Sequence, residues 1–456
     1  MTEPKWPRVD VDSVLDQLSL KGLPLLMIVS ATVTLLLDGM NIQVIALAAP
    51  ALIGEFGVTR DALGPVFAAS LFGVAAGAFS AGPIGDRWGR RNPMLISTAL
   101  FGAATLLAIT SENLFQLTAW RFVTGIGLGG ALPNAVALLA EYTPPRWRNQ
   151  AIAAAIVGVP VGGMLGAAIG AEIIPLYGWR SIFIVGGVLP LMAVAAMYFV
   201  IAESPRYLAI RPNRKPELAQ LLNRLIRRPQ YSGTEDFILS SSALSQQKAG
   251  IGALFSSEFL RDTLAISVVS VTNLLAIYAF FSWAPIVLTS VGYPLATAVH
   301  GSFVFNLAGA VGSIANSWAI SRFGSRWALG VLAALGALAL AGLSQVSFGA
   351  ATPADLEAAR PLLMLGIAAA GFGIMATQVG MFTLVASAYP TQCRSSAVGW
   401  ASSVGRIGGI MSSFAGGWVL ARHGEEGFFG IVAAVLVVTL IGVLAIRNHI
   451  PRGVRA

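Results

Sequence analysis

The stretch Gly82-Pro-Ile-Gly-Asp86-Arg87-Trp-Gly89-Arg90-Arg91 lies between two hydrophobic runs, each long enough to cross a membrane. Four charged residues within the six positions 86–91 cannot lie in hydrocarbon, so this charged stretch (residues 82–91) is predicted to form a tight loop at the membrane face. Short loops rich in arginine and lysine stay on the cytoplasmic side of a membrane. The charged stretch therefore predicts a membrane protein and orients the two helices beside it.

The composition also indicates a membrane protein. Of the 456 residues, 56% are hydrophobic and 11% are charged, whereas charged residues make up about a quarter of a soluble domain. The 50 glycines suit closely packed transmembrane helices. One cysteine, Cys393, excludes an intrachain disulfide and a cysteine-rich metal site, and three scattered histidines form no ligand cluster. The first twenty residues lack the apolar core of a cleavable signal peptide, so none is expected.

Runs of about 20 apolar residues cross a bilayer, and the chain contains twelve of them. The predicted spans are residues 24–50, 62–83, 93–111, 114–140, 150–174, 181–201, 262–290, 296–320, 327–347, 361–387, 396–421 and 427–447. We therefore predict an all-α polytopic membrane protein. Its predicted parts are a cytoplasmic segment (1–23), a first six-helix half (24–203), a cytoplasmic central loop (204–260), a second six-helix half (261–447) and a cytoplasmic tail (448–456).

The positions of the basic residues support this orientation. With both termini in the cytoplasm, 23 of the 29 lysines and arginines lie on the cytoplasmic side, four lie outside and two lie within spans. Such a bias follows the positive-inside rule. It also accounts for most of the net charge of +8, so that charge is no evidence for nucleic acid as a partner.

The two halves are predicted to be repeats. A shift of 235 residues places four residues of the first half on identical residues of the second: Gly77, Arg87, Gly89 and Arg91 fall on Gly312, Arg322, Gly324 and Arg326. Ser321 takes the position of Asp86, so the second copy is degraded. Parallel repeats around a central pathway typically place the substrate near the bilayer midplane, between the halves.

Ionisable side chains are costly inside a membrane, so each one within a span is a candidate functional residue. Asp38 lies in the middle of span 1, Arg121 near the start of span 4, and Arg406 within span 11; Glu141 ends span 4, close to the interface. Asp38 and Asn41 are three residues apart and share a helix face, so they can present a carboxylate and an amide to one cavity. We expect Asp38 to carry a proton; the alternative is a structural aspartate neutralised by an arginine.

Arg406 lies among Gly405, Gly408 and Gly409. An intramembrane arginine needs an anion, and a substrate carboxylate suits a guanidinium, which binds it through two hydrogen bonds. The alternative is permanent pairing with Asp38 or with backbone carbonyls. Other polar and aromatic residues within spans either complete a binding pocket or only join helices; they are Asn41, Asn134, Asn273, Tyr278, Trp283, Asn306 and Gln378.

The charged stretch resembles the Gly-x-x-x-Asp-Arg-x-Gly-Arg-Arg signature of the major facilitator superfamily and matches every defined position. Arg121 followed by Gly125 and Gly129 resembles the helix-4 signature that this superfamily associates with proton transfer; glycine packing alone is the alternative. The resemblance implies a fold of two six-helix halves and a secondary transporter that needs no cofactor, only a proton gradient.

We further expect the residues of the signature to form a cytoplasmic gate whose charges latch helices and separate during a rocking motion. These residues are Gly82, Asp86, Arg87, Gly89, Arg90 and Arg91. The alternative role of the arginines is only to set the topology.

Within the superfamily, the chain resembles the aromatic acid:proton symporters, a bacterial branch that imports benzoate-like and phenylpropanoate-like acids. The resemblance rests on Asp38-Gly39-x-Asn41, on the segment from Gly125 to Asn134 followed by Glu141, and on Gly405-Arg406-Ile-Gly408-Gly409. It implies proton coupling by Asp38, Arg121 and Glu141. Two residues depart from the branch: Asn41 replaces a second acid, and Ala388 replaces an acid before Tyr389-Pro390.

The resulting hypothesis is a monomeric importer in the lipid bilayer of the bacterial inner membrane. An aromatic carboxylate pairs with Arg406, its ring packs against Tyr278 and Trp283, and protonation of Asp38 lets the loaded carrier rock inward. Two alternatives stay open: an exporter or facilitator of another organic solute, and a membrane sensor that binds an aromatic ligand without transport. No metal spacing, phosphate loop or Ser/His/Asp set indicates an enzyme.

Overall fold

The computed structural model describes residues 8–239, 251–346 and 353–452. Eleven helices within these ranges are long and apolar enough to cross a membrane, and we label them α1–α11 in chain order. Their bounds are Leu23–Phe56 (α1), Gly64–Trp88 (α2), Arg91–Leu107 (α3), Leu114–Tyr142 (α4), Pro145–Tyr177 (α5), Arg180–Val200 (α6), Leu260–Ser290 (α7), Leu295–Phe323 (α8), Ser325–Leu343 (α9), Pro353–Ala388 (α10) and Thr391–Ala445 (α11).

The helix α11 contains the last two predicted spans. Gly424 interrupts it with φ 64° and ψ −164°, a backbone conformation that glycine adopts without steric cost. Both limbs run beside α7. A Cβ on Gly405 would lie 3.1 Å from the carbonyl oxygen of Ser270, and Thr439 donates to Thr272 at 2.8 Å. The chain therefore reverses at Gly424, and the predicted fold of twelve membrane-crossing segments in two sets of six is confirmed.

The charged stretch is more helical than predicted. Gly82 to Trp88 form the end of α2, so only Gly89 and Arg90 connect α2 to α3. Gly89 has φ 89°, in the region that favours glycine. A Cβ on Gly89 would also collide with the carboxylate of Glu203. The tight loop expected over the whole stretch is therefore a two-residue turn, which we call the first turn.

Residues outside the membrane helices form further short elements. These are the helices Val11–Asp16, Pro205–Ala209 and Lys215–Ile226, the 3-10 helices Arg60–Leu63, Ala108–Thr110, Pro212–Arg214 and Ile251–Phe255, and the strands Arg8–Asp10 and Asp236–Ile238. The two strands pair in parallel, with Val9 opposite Phe237. Val11, Leu15, Leu218 and Leu222 join Phe237 in a common core, so the amino-terminal and central segments pack together.

The two halves meet along two helix pairs, α5 with α8 and α2 with α11, and the α2 interface also includes the end of α7. Four pairs mark this interface: Arg60 with Glu425, Gly64 with Ser413, Phe67 with Trp283, and Val74 with Arg406. Arg60 and Glu425 form an ion pair at 3.2 Å. Because α2 runs from Gly64 toward the charged stretch at its carboxyl end, these contacts close the interface at the opposite end of the molecule.

Candidate functional site

A cavity of about 200 Å³ lies between the two halves. Its polar lining comes from both halves and consists of Asp38, Ser70, Arg121, Tyr278, Ser282 and Arg406. Most of its remaining wall is apolar and includes Ile42, Ile45, Phe67, Leu71, Val159 and Phe281. A mostly apolar cavity with a few convergent polar groups is typical of a small-molecule site.

The packing of α4 on α2 sets the position of Arg121. A Cβ on Gly125 or Gly129 would collide with a carbonyl oxygen of α2, so the glycine spacing lets the two backbones approach closely. The Arg121 side chain is 1% exposed. Its guanidinium donates to Ser70 Oγ at 3.1 Å and to Asn41 Oδ1 at 3.2 Å. The glycines thus have a packing role, while the arginine lines the cavity.

Asp38 lines the same cavity from α1 and is 4% exposed. Among the residues that the structure describes, no side chain or backbone group forms a hydrogen bond or an ion pair with its carboxylate. The positive charge that acts on it is that of Arg406. Arg406 itself donates to the carbonyl oxygen of Val74 at 3.3 Å. A permanent ion pair between Asp38 and Arg406 is therefore not the arrangement in this conformation.

The charges of the cavity do not balance. Asp38 supplies one carboxylate, whereas Arg121 and Arg406 supply two guanidiniums, and the described residues give neither arginine a carboxylate partner within salt-bridge distance. A buried charge without a partner is costly in a low-dielectric environment. The cavity can lower this cost by binding one small anion.

Some residues predicted to bind substrate lie behind the cavity wall. Asn41 donates to the Gly186 carbonyl oxygen at 2.9 Å and accepts from Arg121, so it supports the arginine from behind. Trp283 is fully buried, donates to the Ser412 carbonyl oxygen at 3.0 Å and packs edge-on against Phe67. Its ring contributes to the wall indirectly, through Phe67.

The other predicted amides also lie outside the cavity lining. Asn134 donates to the Gly130 carbonyl oxygen at 2.9 Å, one turn earlier in α4. Asn306 donates to Ser302 at 2.8 Å in the same way. Gln378 accepts from Asn273 at 2.9 Å. Of the predicted coupling and binding residues, the cavity thus brings together Asp38, Arg121, Tyr278 and Arg406.

The predicted gate residues form a network with the ends of α4 and α6. Glu203 Oε1 accepts from the backbone nitrogens of Arg90 and Arg91 at 2.8 and 3.1 Å. Arg90 pairs with Asp86, and its Nε lies 4.0 Å from Glu141. Glu141 also accepts from Ser204. Glu141 therefore belongs to this network and does not line the cavity.

The remaining gate residues complete the same network. Arg91 donates to the carbonyl oxygens of Ile201 and Tyr198 at 2.7 and 2.6 Å, and the Arg87 carbonyl oxygen accepts from Tyr207 and Arg211. Gly82 faces open space. The partners of these residues named here lie in the first half of the chain or in the central segment that follows it.

Sequence reasoning missed three polar residues of these sites, which are Ser70 and Ser282 in the cavity lining and Glu203 at the first turn. Ser70 lines the cavity and accepts from Arg121; its only signal is a hydroxyl within an apolar span. Glu203 anchors the first turn. Its signal is an acidic residue directly after span 6, followed by Ser204, whose hydroxyl caps the helix Pro205–Ala209.

Comparison with known proteins agrees with this architecture. Residues 31–358 match the family described as Major Facilitator Superfamily. The gallate transporter of Pseudomonas putida is 34% identical over 413 residues, which cover 91% of this chain and 89% of the relative. The 4-hydroxybenzoate transporter PcaK of Acinetobacter baylyi is 31% identical over 432 residues, which cover 94% of this chain and 92% of the relative.

Solved structures show the same fold. The inward open conformation of the xylose transporter XylE from E. coli superposes with a TM-score of 0.73 at 17% identity, covering 92% of this chain and 95% of that structure. The family match and the names of the relatives confirm the prediction of a multi-pass membrane transporter rather than an enzyme. On the matched residues and the two-half helical fold, this chain belongs to the Major Facilitator Superfamily.

Proposed function

We propose that this protein imports an aromatic carboxylate together with protons by alternating access. One observation carries the proposal: Asp38, Arg121 and Arg406 line a single cavity between the halves, and their charges leave one positive charge uncompensated. A monovalent carboxylate balances that charge. The gallate and 4-hydroxybenzoate transporters among the relatives support an aromatic acid as the substrate.

In this proposal the substrate carboxylate binds between the two guanidiniums. Arg406 has one hydrogen bond to a backbone carbonyl, and the Nε of Arg121 has no partner among the described residues, so both retain donors. A planar guanidinium binds a carboxylate through paired hydrogen bonds. The aromatic ring then packs against Phe67, Tyr278 and Phe281, which line the cavity.

The charge of the cavity explains how a proton could be coupled to the substrate. The empty cavity, with Asp38 ionised, carries one net positive charge. A bound carboxylate cancels that charge, and a proton on Asp38 restores it. The empty and the fully loaded carrier therefore have the same charge, whereas a carrier that holds only one of the two ligands differs from them by one charge. Two carboxylates in one buried site repel each other, so the substrate and the proton on Asp38 favour each other's binding. Coupling then requires that the carrier rocks only when it is empty or when it holds both ligands.

Arg121 and Glu141 have different places in this scheme. Arg121 links the cavity to Asn41 and Ser70 through hydrogen bonds, so it can respond to the charge of the substrate. Glu141 lies 4.0 Å from Arg90 at the first turn. We therefore assign Arg121 to coupling and Glu141 to the gate network.

We place the protein in the bacterial inner membrane as a monomer with both termini in the cytoplasm, with the proton gradient as energy source and no cofactor. The distribution of lysine and arginine supports this orientation. With the first turn on the cytoplasmic side, the contacts from Arg60–Glu425 to Val74–Arg406 close the outer end of the interface. This conformation is then closed toward the outside, and the cavity is the site from which the substrate is released into the cell.

Uptake into proteoliposomes tests the proposal. Labelled benzoate, 4-hydroxybenzoate and gallate are offered with and without an inward proton gradient to the unmodified protein, to Asp38→Asn and to the control Thr383→Ala, which alters an exposed hydroxyl of α10 outside the cavity lining. We expect gradient-driven accumulation in the unmodified protein and the control, and only exchange or equilibration in Asp38→Asn. Undiminished accumulation by Asp38→Asn would place coupling elsewhere. Equilibration without accumulation by the unmodified protein would indicate a facilitator, and uptake of none of the acids would refute the substrate class.

A further inference from the structure

Two buried amides beside the cavity have unused hydrogen-bonding groups. Gln43 of α1 is 2% exposed and Asn306 of α8 is 1% exposed. Among the described residues, Nε2 and Oε1 of Gln43 and Oδ1 of Asn306 have no hydrogen-bond partner. Buried polar groups are almost always paired, and leaving them unpaired costs free energy. Three unpaired atoms at one place therefore indicate a missing partner.

The two amides converge on one position. A Cβ on Gly163 of α5 would lie 2.8 Å from Gln43 Nε2 and 2.9 Å from Asn306 Oδ1. Since Gly163 has no side chain, the two amide groups approach the same space. Gln43 and Gly163 belong to the first half and Asn306 to the second, so this site, like the cavity, is built by both halves.

The site adjoins a part of the cavity wall that carries no charged side chain. Val159, one helical turn before Gly163 on the same face of α5, lines the cavity, and Gln43, Gly163 and Asn306 lie behind that lining. Gln43 is five residues beyond Asp38, which corresponds to a rise of about 7.5 Å, so it lies farther along α1 than the carboxylate of the cavity.

We propose that Gln43 and Asn306 form a subsite for a hydroxyl group on the aromatic ring of the substrate. A hydroxyl both donates and accepts hydrogen bonds. It can donate to Asn306 Oδ1 and accept from Gln43 Nε2, which are two of the three unpaired atoms. An unsubstituted ring edge can do neither, so it leaves both amides unpaired. This inference rests on the proposed function and adds that hydroxylated aromatic acids are preferred over unsubstituted ones.

Initial uptake rates of labelled benzoate, 3-hydroxybenzoate and 4-hydroxybenzoate in proteoliposomes test the subsite. The variants are Gln43→Leu and Asn306→Leu, with Thr383→Ala as the control; Thr383 is an exposed residue of α10 whose hydroxyl donates to the Val379 carbonyl oxygen of the same helix. We expect the unmodified protein and the control to favour at least one hydroxybenzoate by about tenfold or more in kcat/KM, because a site built to hydrogen-bond a hydroxyl rejects the analogue that lacks it. Each Leu variant is expected to lose most of that preference through a higher KM for the hydroxybenzoate, with benzoate uptake retained.

The outcomes separate this inference from the proposed function. An equal loss for benzoate and the hydroxybenzoates would show that the amides only hold helices together, and an unchanged preference would show that the hydroxyl binds elsewhere; either result overturns the subsite. If the unmodified protein transports none of these acids, the proposed function itself fails. Should Gln43→Leu fail to insert into the membrane, Gln43→Met keeps the length of the side chain and tests the same loss of hydrogen bonding.

Discussion

The first turn and its counterpart at Gly324, the second turn, have the same backbone in the two halves of the chain. Gly89 and Gly324, 235 residues apart, have φ values of 89° and 80°. After each turn an arginine donates to a carbonyl oxygen near the end of the last helix of its half. Arg91 donates to Ile201 at 2.7 Å, and Arg326 donates to Leu444 at 2.8 Å. The repeat predicted from spacing is thus also a repeat of hydrogen bonds.

The chemistry that holds the two turns differs. The first turn is anchored by the Glu203 carboxylate, which accepts three backbone N–H groups, those of Arg90, Arg91 and Ser204. The second turn is anchored by Ser325, whose backbone nitrogen donates to the Ile450 carbonyl oxygen and whose hydroxyl accepts from the Ile450 nitrogen. One half therefore uses an ionised group where the other uses a neutral one.

The same contrast occurs inside the membrane. Asn273 of α7 lies 235 residues after Asp38 of α1. Asp38 faces the cavity and the charge of Arg406, whereas Asn273 donates to Gln378 and to the carbonyl oxygen of Ile374. The repeat keeps the geometry, while two of the three charged groups of the cavity, Asp38 and Arg121, belong to the first half. Arg406 is the exception, and it places one charge of the second half opposite those of the first.

Moving the carboxylate between the halves is the strongest test of this contrast. In the double variant Asp38→Asn/Asn273→Asp, the new carboxylate replaces an amide that donates to Gln378 and to the Ile374 carbonyl oxygen. A rotated Gln378 amide can donate one hydrogen bond to it but supplies no opposite charge. We expect the double variant to accumulate substrate no better than Asp38→Asn, below about a tenth of the unmodified level, because the carboxylate at position 273 lies outside the cavity lining and has no opposite charge to stabilise it. Uptake in proteoliposomes measures this, with Asp38→Asn alone as the reference. Recovery of accumulation in the double variant would show that the halves are interchangeable.

Removing the anchor of each turn is expected to have a smaller effect, a loss of stability that differs between the two turns. Glu203→Ala leaves three N–H groups without their acceptor and should destabilise the protein by about 3 kcal/mol, whereas Ser325→Ala removes weaker, neutral bonds and should cost about 1 kcal/mol. Glu203→Gln keeps one acceptor oxygen without the charge and should fall between them. Thermal unfolding in detergent, followed by tryptophan fluorescence, gives the order of the three variants. Equal decreases in Tm for Glu203→Ala and Ser325→Ala would remove the distinction between the turns.

The features that sequence predicts here are local, and those it misses depend on distant contacts. The spans follow from runs of apolar residues, and the break at Gly424 falls between the last two predicted spans. The intramembrane charges Asp38, Arg121 and Arg406 stand out because each is costly, and all three line the cavity. Asn41 shares a face with Asp38 in sequence spacing, yet its amide turns toward α4 and α6. The direction in which the Asn41 amide points depends on which helices pack against α1.

The anchor of the first turn shows the same limit on prediction. Glu203 accepts from Arg90, which lies 113 residues earlier in the chain. No periodicity in the sequence connects these two positions. The charged stretch is recognisable from its own residues, but its anchor becomes visible only when α6 returns to the same end of the molecule.

The smallest expected effect is a pH dependence of stability that arises from the second turn. His449 Nδ1 lies 3.0 Å from Ser325 Oγ, and its Nε2 lies 3.1 Å from the Val443 carbonyl oxygen. These bonds fit the neutral ring, with Nε2 donating and Nδ1 accepting. Burial lowers the pKa of His449 below its ordinary value of 6.5, and the nearby Arg326 lowers it further, although the hydrogen bond to Val443 and the charge of Asp262 act in the opposite direction.

The folded protein therefore binds this proton more weakly than the unfolded chain does. As the pH falls through about 6.5, the unfolded chain takes up the proton first, and the folded state loses stability relative to it. The stabilisation is present at higher pH and disappears on acidification.

Because the ring is only half buried, the apparent Tm of the unmodified protein should fall between pH 7.5 and 5.5 by only about 2 °C more than that of His449→Gln. His423→Gln, which alters a ring beside Trp418 and away from the turn, should keep the pH dependence of the unmodified protein. An identical fall in Tm for His449→Gln and the unmodified protein would show that the second turn, like the first, does not depend on a titrating histidine.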